Sequence, residues 1–291
     1  MPIYKPSELR LFLNGLGVSP KKVLSQNFLI DGNIIRKIVE SACVQPGDIV
    51  LEIGPGPGSL TEALLDKGVH VLAVEKDRVL ARALERLKSP DNNLEIFCND
   101  ILEFPVETVL ARYLSEGRRA KVIANLPYHL TTPILMRLIS MRDTFSSLFV
   151  MVQEEVARRF TAMPGTSDYS SFTIFLNFYA ALHYEFMVSR HCFFPEPNVQ
   201  SAVVSLELKQ PPTVSNEEQF FKTTRAAFSQ RRKMLRASLR PLYATEAITK
   251  ALIDLGFDPQ SRPERLSLED WLRFFERLAL ESKASTEKVC D

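Results

Sequence analysis

The sequence predicts an α/β fold: a mostly parallel sheet with helices on both faces, followed by a small all-helical domain. Three observations predict it. Short β-branched runs alternate with stretches of helical periodicity through the first part of the chain. Two later apolar runs have no helical pattern between them. Pro211-Pro212 then interrupts the alternation, and the chain beyond it is periodic at helical spacing.

The elements come in this order. Asp48–Ile53 is the first strand expected, and Ser59–Asp66 is a helix. Val69–Val74 returns to a strand, and Asp77–Lys88 to a helix. Leu94–Phe97 and Lys121–Ala124 are the next strands. Thr132–Met141 is a helix and Ser147–Val152 a strand. His183–Val188 and Ala202–Leu208 read as an antiparallel hairpin on the edge of the same sheet, which makes seven strands. We therefore place one domain at 1–209 and a helical one at 210–291, with helices at Glu217–Leu239, Thr245–Leu255 and Leu268–Leu280. The polar Glu281–Asp291 is expected to fray.

Bulk composition bounds the function classes. The 291 residues are 45% hydrophobic and 24% charged, ordinary for a globular chain, and the net charge of +1 selects no partner by itself. The four cysteines, Cys43, Cys98, Cys192 and Cys290, form no C-x-x-C pair, so neither a zinc site nor a disulfide framework is indicated. No apolar run approaches the roughly 20 residues of a membrane span. The N-terminus lacks the marks of a signal or transit peptide. These readings place the protein in the cytoplasm, without metal or membrane.

The segment Gly54-Pro55-Gly56-Pro57-Gly58 follows a strand and opens a helix. Glycines there allow sharp turns and close approach of a ligand. A dinucleotide enzyme uses a related turn, but with different spacing, and it needs N–H donors for phosphate that two prolines remove. Glu75, ending the second strand, can accept from both hydroxyls of a ribose; Asp100, after the third, can accept from an adenine amino group. Taken singly, Gly54 and Gly58 suit a plain turn, Glu75 a solvated strand end and Asp100 a helix or turn cap. Together they lie at the carboxyl ends of consecutive strands, where open α/β sheets bind ligands. A nucleoside without phosphate fits them, and S-adenosyl-L-methionine is such a ligand.

Asn125-Leu126-Pro127-Tyr128 follows the fourth strand. An adenine amino nitrogen is a poor nucleophile because its lone pair is delocalised into the ring. An Asn oxygen and the Leu126 carbonyl can accept its two hydrogens and turn the lone pair toward a methyl donor, while Tyr128 offers a flat surface to an extruded base. Orientation is then the main catalytic effect. His129 reads as a loop residue rather than a base. Within Phe193-Phe194-Pro195-Glu196-Pro197, a phenylalanine held between prolines suits either the other face of that base or a hydrophobic plug.

Together with Ser25-Gln26-Asn27-Phe28-Leu29-Ile30-Asp31, Glu52-Ile53-Gly54-Pro55-Gly56 and Gln153-Glu154-Glu155-Val156-Ala157-Arg158-Arg159, the Asn125–Tyr128 motif resembles the ribosomal RNA adenine dimethyltransferases, from about Leu24 to Leu272. In detail it is similar to the bacterial small-subunit members. The resemblance implies a Rossmann-like class I methyltransferase fold with a mostly parallel seven-stranded sheet. It further implies dimethylation of two adjacent adenines near the 3′ end of 16S ribosomal RNA during ribosome assembly. S-adenosyl-L-homocysteine would be the product, and the enzyme a monomer. It puts Asn27 and Leu29 over the cofactor, completed by Gly54, Glu75, Asp100 and Asn125, and it makes Phe193 the second stacking residue. Asn198 and Gln200 depart from the family's usual residues.

Arg225, Arg231, Arg232, Lys233, Arg236 and Arg240 fall in one stretch without an acid. Such a run is either a solvated face or, beside a base-modifying site, a grip on RNA phosphates. Competing readings are a large-subunit adenine methyltransferase of the antibiotic-resistance type and a largely non-catalytic assembly factor of the small subunit.

Overall fold

The structure, a computed structural model, describes residues 3–21, 24, 26–230 and 232–287. The chain divides into two compact units: Met1–Ala157 with Ala181–Lys209, and Arg158–Ala180 with Gln210–Asp291. The second unit thus takes in a segment upstream of the proline pair as well as the chain after it.

Among its described residues the first unit holds nine strands: β1 (Phe28–Leu29), β2 (Ile49–Ile53), β3 (His70–Glu75), β4 (Asn93–Cys98), β5 (Ala120–Asn125), β6 (Phe145–Gln153), β7 (Ala180–Val188), β8 (Phe193–Phe194) and β9 (Ser201–Leu208). Seven make one sheet in the order β4-β3-β2-β5-β6-β9-β7. The pairs from β4 to β6 are parallel. Strand β9 runs antiparallel to β6, from Ser147 opposite Glu207 to Gln153 opposite Ser201. The two late strands lie side by side at one edge of the sheet, as expected, with β9 next to β6 and β7 outermost. All five residues of β2 are buried, as expected of a central parallel strand covered on both faces.

Helices α1 (Pro6–Gly15), α2 (Gly32–Ser41), α3 (Ser59–Leu65), α4 (Arg78–Ala83), α5 (Val106–Leu110) and α6 (Thr131–Ser140) belong to this unit. The Asp31 carboxylate caps α2 by accepting from the N–H groups of Asn33 and Ile34, and Asp77 caps α4 likewise. The single helix expected over Asp77–Lys88 becomes α4 and a 3₁₀ turn, Leu84–Leu87. Strand order reverses between β2 and β5, which opens a crevice at their carboxyl ends. A second antiparallel pair, β1 with β8, aligns Phe28 with Phe194 and Leu29 with Phe193. Helix α1 joins it through a small cluster of Ile3, Leu9, Leu13, Phe28 and Leu80.

Helix α7 (Glu154–Phe160) leads into the second unit. There α8 (Ser171–Tyr179), α9 (Glu217–Phe228), α10 (Leu235–Ser238), α11 (Thr245–Asp254) and α12 (Leu268–Glu287) surround an aromatic core. Phe178, Phe220, Phe221 and Phe275 meet there with ring centroids 5.1–5.6 Å apart. The helix expected over Glu217–Leu239 breaks after Phe228. The like-charged Arg232 and Lys233 have no acidic partner one turn away to support a helix, and the Leu235 N–H goes to the Ser261 carbonyl at 3.0 Å. Helix α12 continues to Glu287, past the expected start of fraying, and the last four residues lie outside the described ones.

Candidate active site

The carboxyl ends of β2, β3 and β5 open onto a cavity of about 340 Å³. The loop after β2 forms one wall. Gly54, Gly56 and Gly58 have φ of 66°, 58° and 90°, a left-handed conformation that any side chain would strain. Space is short as well: a Cβ on Gly56 would sit 2.9 Å from the Phe28 ring, and one on Gly58 2.7 Å from both Leu84 and Leu87.

Glu75 fastens this loop. Its carboxylate accepts from Gly56 N at 2.9 Å and from Asp77 N at 2.8 Å, one bond to each oxygen. Burial holds its proton affinity above the ordinary carboxylate range in spite of those bonds. Each oxygen keeps a second lone pair for a ligand hydroxyl. Asp100 also lines the cavity, but it is engaged: Oδ2 accepts from Lys76 Nζ at 2.7 Å and Oδ1 from Leu102 N at 2.9 Å. The Lys76 ammonium keeps its acidity on the strong side. The capping role that its type suggests is thus present.

Asn125 ends β5, and its amide Nδ2 donates to the Asn27 carbonyl at 3.0 Å. That bond uses the nitrogen end of the side chain and leaves Oδ1 as the acceptor. Leu126 is buried, and its N–H goes to Met151 O at 3.1 Å. Pro127 has no N–H to offer, and the turn closes from Leu130 N onto the Pro127 carbonyl at 2.9 Å, one residue beyond that of Leu126. The half-buried Tyr128 shares a 2.6 Å hydrogen bond with Ser201 Oγ, and burial pushes its hydroxyl pKa up. Asn27 and Leu29 line the cavity from the N-terminal segment, so Asn27, Leu29, Gly54, Glu75, Asp100, Asn125, Leu126 and Tyr128 all come together in one place.

Phe193 does not join them. It is 2% exposed, lies in the hydrophobic core with Leu29, Phe149, Met151 and Val203, and is not on the cavity wall. Pairing of β8 with β1 places its backbone there, directly behind residues that do line the cavity. Among the basic residues of the second unit, Arg225, Arg232, Lys233 and Arg236 are exposed and Arg231 lies outside the described residues. No group of three or more His, Cys, Asp or Glu that could hold a metal occurs among the described residues. No described helix is long and apolar enough to cross a membrane.

Sequence reasoning missed several wall residues. Phe28, Ile101, Phe149 and Val203 are apolar residues whose role only the fold reveals. Glu52 had a visible signal, a lone acid inside the otherwise apolar Ile49–Ile53. It is 1% exposed, and its Oε2 has no hydrogen-bond partner. Three carboxylates and one lysine among the lining side chains make the cavity a poor host for phosphate and a good one for a cationic nucleoside.

A family model of ribosomal RNA adenine dimethylases matches residues 18–280. The "Ribosomal RNA small subunit methyltransferase A" of Protochlamydia amoebophila is 65% identical over 278 residues, 96% of this chain and 98% of that protein. Its counterpart in Chlamydia felis is 46% identical over 281 residues, 95% and 96% of the two chains. Among solved structures, a dimethyladenosine transferase from Plasmodium falciparum superposes with a TM-score of 0.72 at 26% identity, over 87% of this chain and 98% of that one. The 23S rRNA methyltransferase ErmE does so with 0.68 at 28% identity, over 87% and 100%.

Proposed function

We propose, for a chain that belongs to the ribosomal RNA adenine dimethylase family, how its residues carry out methyl transfer and on which RNA. The protein is an S-adenosyl-L-methionine-dependent adenine dimethyltransferase of ribosomal RNA. Its target, in our reading, is a pair of adjacent adenines near the 3′ end of 16S ribosomal RNA in the small subunit. The naming of the relative at 65% identity supports this target over the large-subunit alternative, for which the ErmE likeness at 28% is weaker support.

The observation that carries the mechanism is the Asn125–Asn27 hydrogen bond. By holding Nδ2, the Asn27 carbonyl turns Oδ1 into the acceptor for one amino hydrogen of adenine. The Leu126 carbonyl accepts the other, and the nitrogen lone pair is drawn out of the ring. Tyr128, fixed through Ser201, provides the face on which the extruded base stacks. S-adenosyl-L-methionine, when bound, supplies a methyl group made electrophilic by a sulfonium. Glu75 accepts from its ribose, Asp100 from its adenine, and Gly54, Asn27 and Leu29 enclose it. The unpaired Glu52 oxygen marks a place for positive charge, so the residues present fit this cofactor. Catalysis is mainly positional, and the product ammonium is acidic enough to lose its proton to water. The basic stretch Arg225–Arg240 holds RNA phosphates, and the enzyme works as a cytoplasmic monomer.

Undermethylated small subunits incubated with labelled S-adenosyl-L-methionine should yield labelled dimethyladenosine on nucleoside analysis. In a parallel incubation with undermethylated large subunits, label appearing there and not in the small subunits would transfer the assignment to the ErmE-like alternative. Binding to the subunit with no incorporation would leave the assembly-factor reading.

A further inference from the structure

Dimethylation asks more of a site than a single transfer does. The first transfer starts from an amino group with two hydrogens, one for Asn125 Oδ1 and one for the Leu126 carbonyl. The second starts from a methylamino nitrogen, with one hydrogen and one methyl group. That methyl cannot donate to an oxygen. It needs an apolar place to lie before the lone pair can point at the donor again.

The sheet supplies such a place beside Asn125. In register, Asn125 stands opposite Met151 on β6, and Met151 opposite Val203 on β9. Paired residues share a face of the sheet, so the three side chains form one row. All three line the cavity, yet Met151 is 2% and Val203 1% exposed, so the recess they floor is narrow. Leu29 and Phe149 line the cavity too and belong to the same hydrophobic cluster. The next row outward on that face is Gln153 opposite Ser201, and Ser201 holds the Tyr128 hydroxyl at 2.6 Å. Side chains two apart along a strand share a face at a spacing of roughly 7 Å. The ring on which the base stacks is therefore moored one row from Met151 and Val203. On the other flank of Asn125, β2 gives way to Gly54, where an added Cβ would come within 3.9 Å of the Asn125 carbonyl.

We propose that Met151 and Val203 form a methyl recess that lets the reaction go twice: in the second transfer the first methyl lies against them, on the Asn125 side, and the Leu126 carbonyl holds the remaining N–H. The nitrogen lone pair forms the new N–C bond as the sulfonium S–C bond breaks, and the electron pair of that bond stays on sulfur. The product ammonium then passes its last N–H proton to water. An unbranched thioether suits a wall that faces a hydrogen in one turnover and a methyl group in the next. The inference rests on the adenine-amino reading of the site made above and adds the residues that set the number of methyl groups.

A time course on undermethylated small subunits, with nucleoside analysis that separates monomethyladenosine from dimethyladenosine, tests it. Val203→Ile adds one methylene to the recess, and Met151→Phe fills it. Each should slow the second transfer by roughly 10–200-fold more than the first, the discrimination a hydrophobic pocket exerts over one methylene, so that monomethyladenosine accumulates. Val203→Ala widens the recess and should show less of that intermediate than wild type. Residues that merely support the sheet would affect both transfers alike. Equal slowing of the two transfers in variants that still melt cooperatively, or dimethyladenosine formed by both without the intermediate building up, overturns the proposal. Failure of the wild-type protein to methylate any small-subunit adenine overturns instead the substrate reading.

Discussion

Asn125 meets the chain at a residue 98 positions away, and that single bond decides which end of its amide faces a substrate. Asn125→Ala removes the acceptor without disturbing a buried core. Methyl incorporation into small subunits should fall by about 10²–10³-fold, in line with losing one preorganised polar group, while subunit binding in a pelleting assay stays unchanged. Gly58 is constrained from two directions, by its φ of 90° and by two leucines that would lie 2.7 Å from an added Cβ. Gly58→Ala should lower stability by about 2 kcal/mol, read as a drop in Tm. Glu52 sets a pH dependence. Its folded pKa of about 8 lies above the ordinary 4.5, so between those values the folded state holds a proton that the unfolded chain has lost. Stability of the cofactor-free protein should therefore be full below about pH 4.5 as far as this group is concerned, and decline toward pH 8, by on the order of a few kcal/mol. Glu75 works in the same direction. Asp77 and Asp100, held below their usual values, act only at lower pH. In Glu52→Gln the decline should flatten in thermal melts across this range. At this scale the gathering of Gly54, Glu75, Asp100 and Asn125 around one cavity was legible, because each stands at the carboxyl end of a strand of one sheet, although each singly suits a turn or a cap. Asn27 was not, since it acts through its backbone carbonyl, which carries no side-chain signature.

Strands were easier to read than helices, and the reason is burial. A parallel strand covered on both faces shows as an unbroken apolar run, as Ile49–Ile53 does apart from Glu52. Helix α8 is hidden by the opposite circumstance. Its Ser-Phe-Thr-Ile-Phe-Leu-Asn-Phe-Tyr is rich in residues that favour strands. Tertiary packing overrides that preference, with Phe175, Phe178 and Tyr179 all meeting Phe221 of α9. A local device helps: the Ser170 hydroxyl accepts from Thr173 N, and the Ser170 N–H donates to Thr173 Oγ1 at 3.1 Å. Ser170→Ala should cost about 1 kcal/mol in chemical denaturation, since one orphan donor of the first turn loses its partner. The break in the helix expected over Glu217–Leu239 has the reverse lesson. Its periodic leucines, Leu235 and Leu239, are indeed buried, but on a separate short helix and its C-cap.

At the level of the whole chain, the near-neutral charge hides a local excess of arginine and lysine. If Arg225, Arg232, Lys233 and Arg236 each neutralise a phosphate, the affinity for ribosomal RNA should fall steeply with salt. Lys233→Ala should reduce the slope of log K against log salt by about 1 and weaken binding irrespective of sequence; filter binding at several salt concentrations measures both. The alternation of strands and helices disclosed the sheet, but not the insertion of β9 between β6 and β7, because pairing order depends on partners far apart in the chain. That insertion has a bearing on synthesis. A growing chain that has emerged only as far as β7 has no neighbour to lay it against, and β6 keeps one bare flank, until the stretch ending at Leu208 leaves the ribosome. Protein destined to modify ribosomes thus passes through a sticky, half-zipped stage on one, and nascent chains stalled before Ser201 are where holdase chaperones should be found.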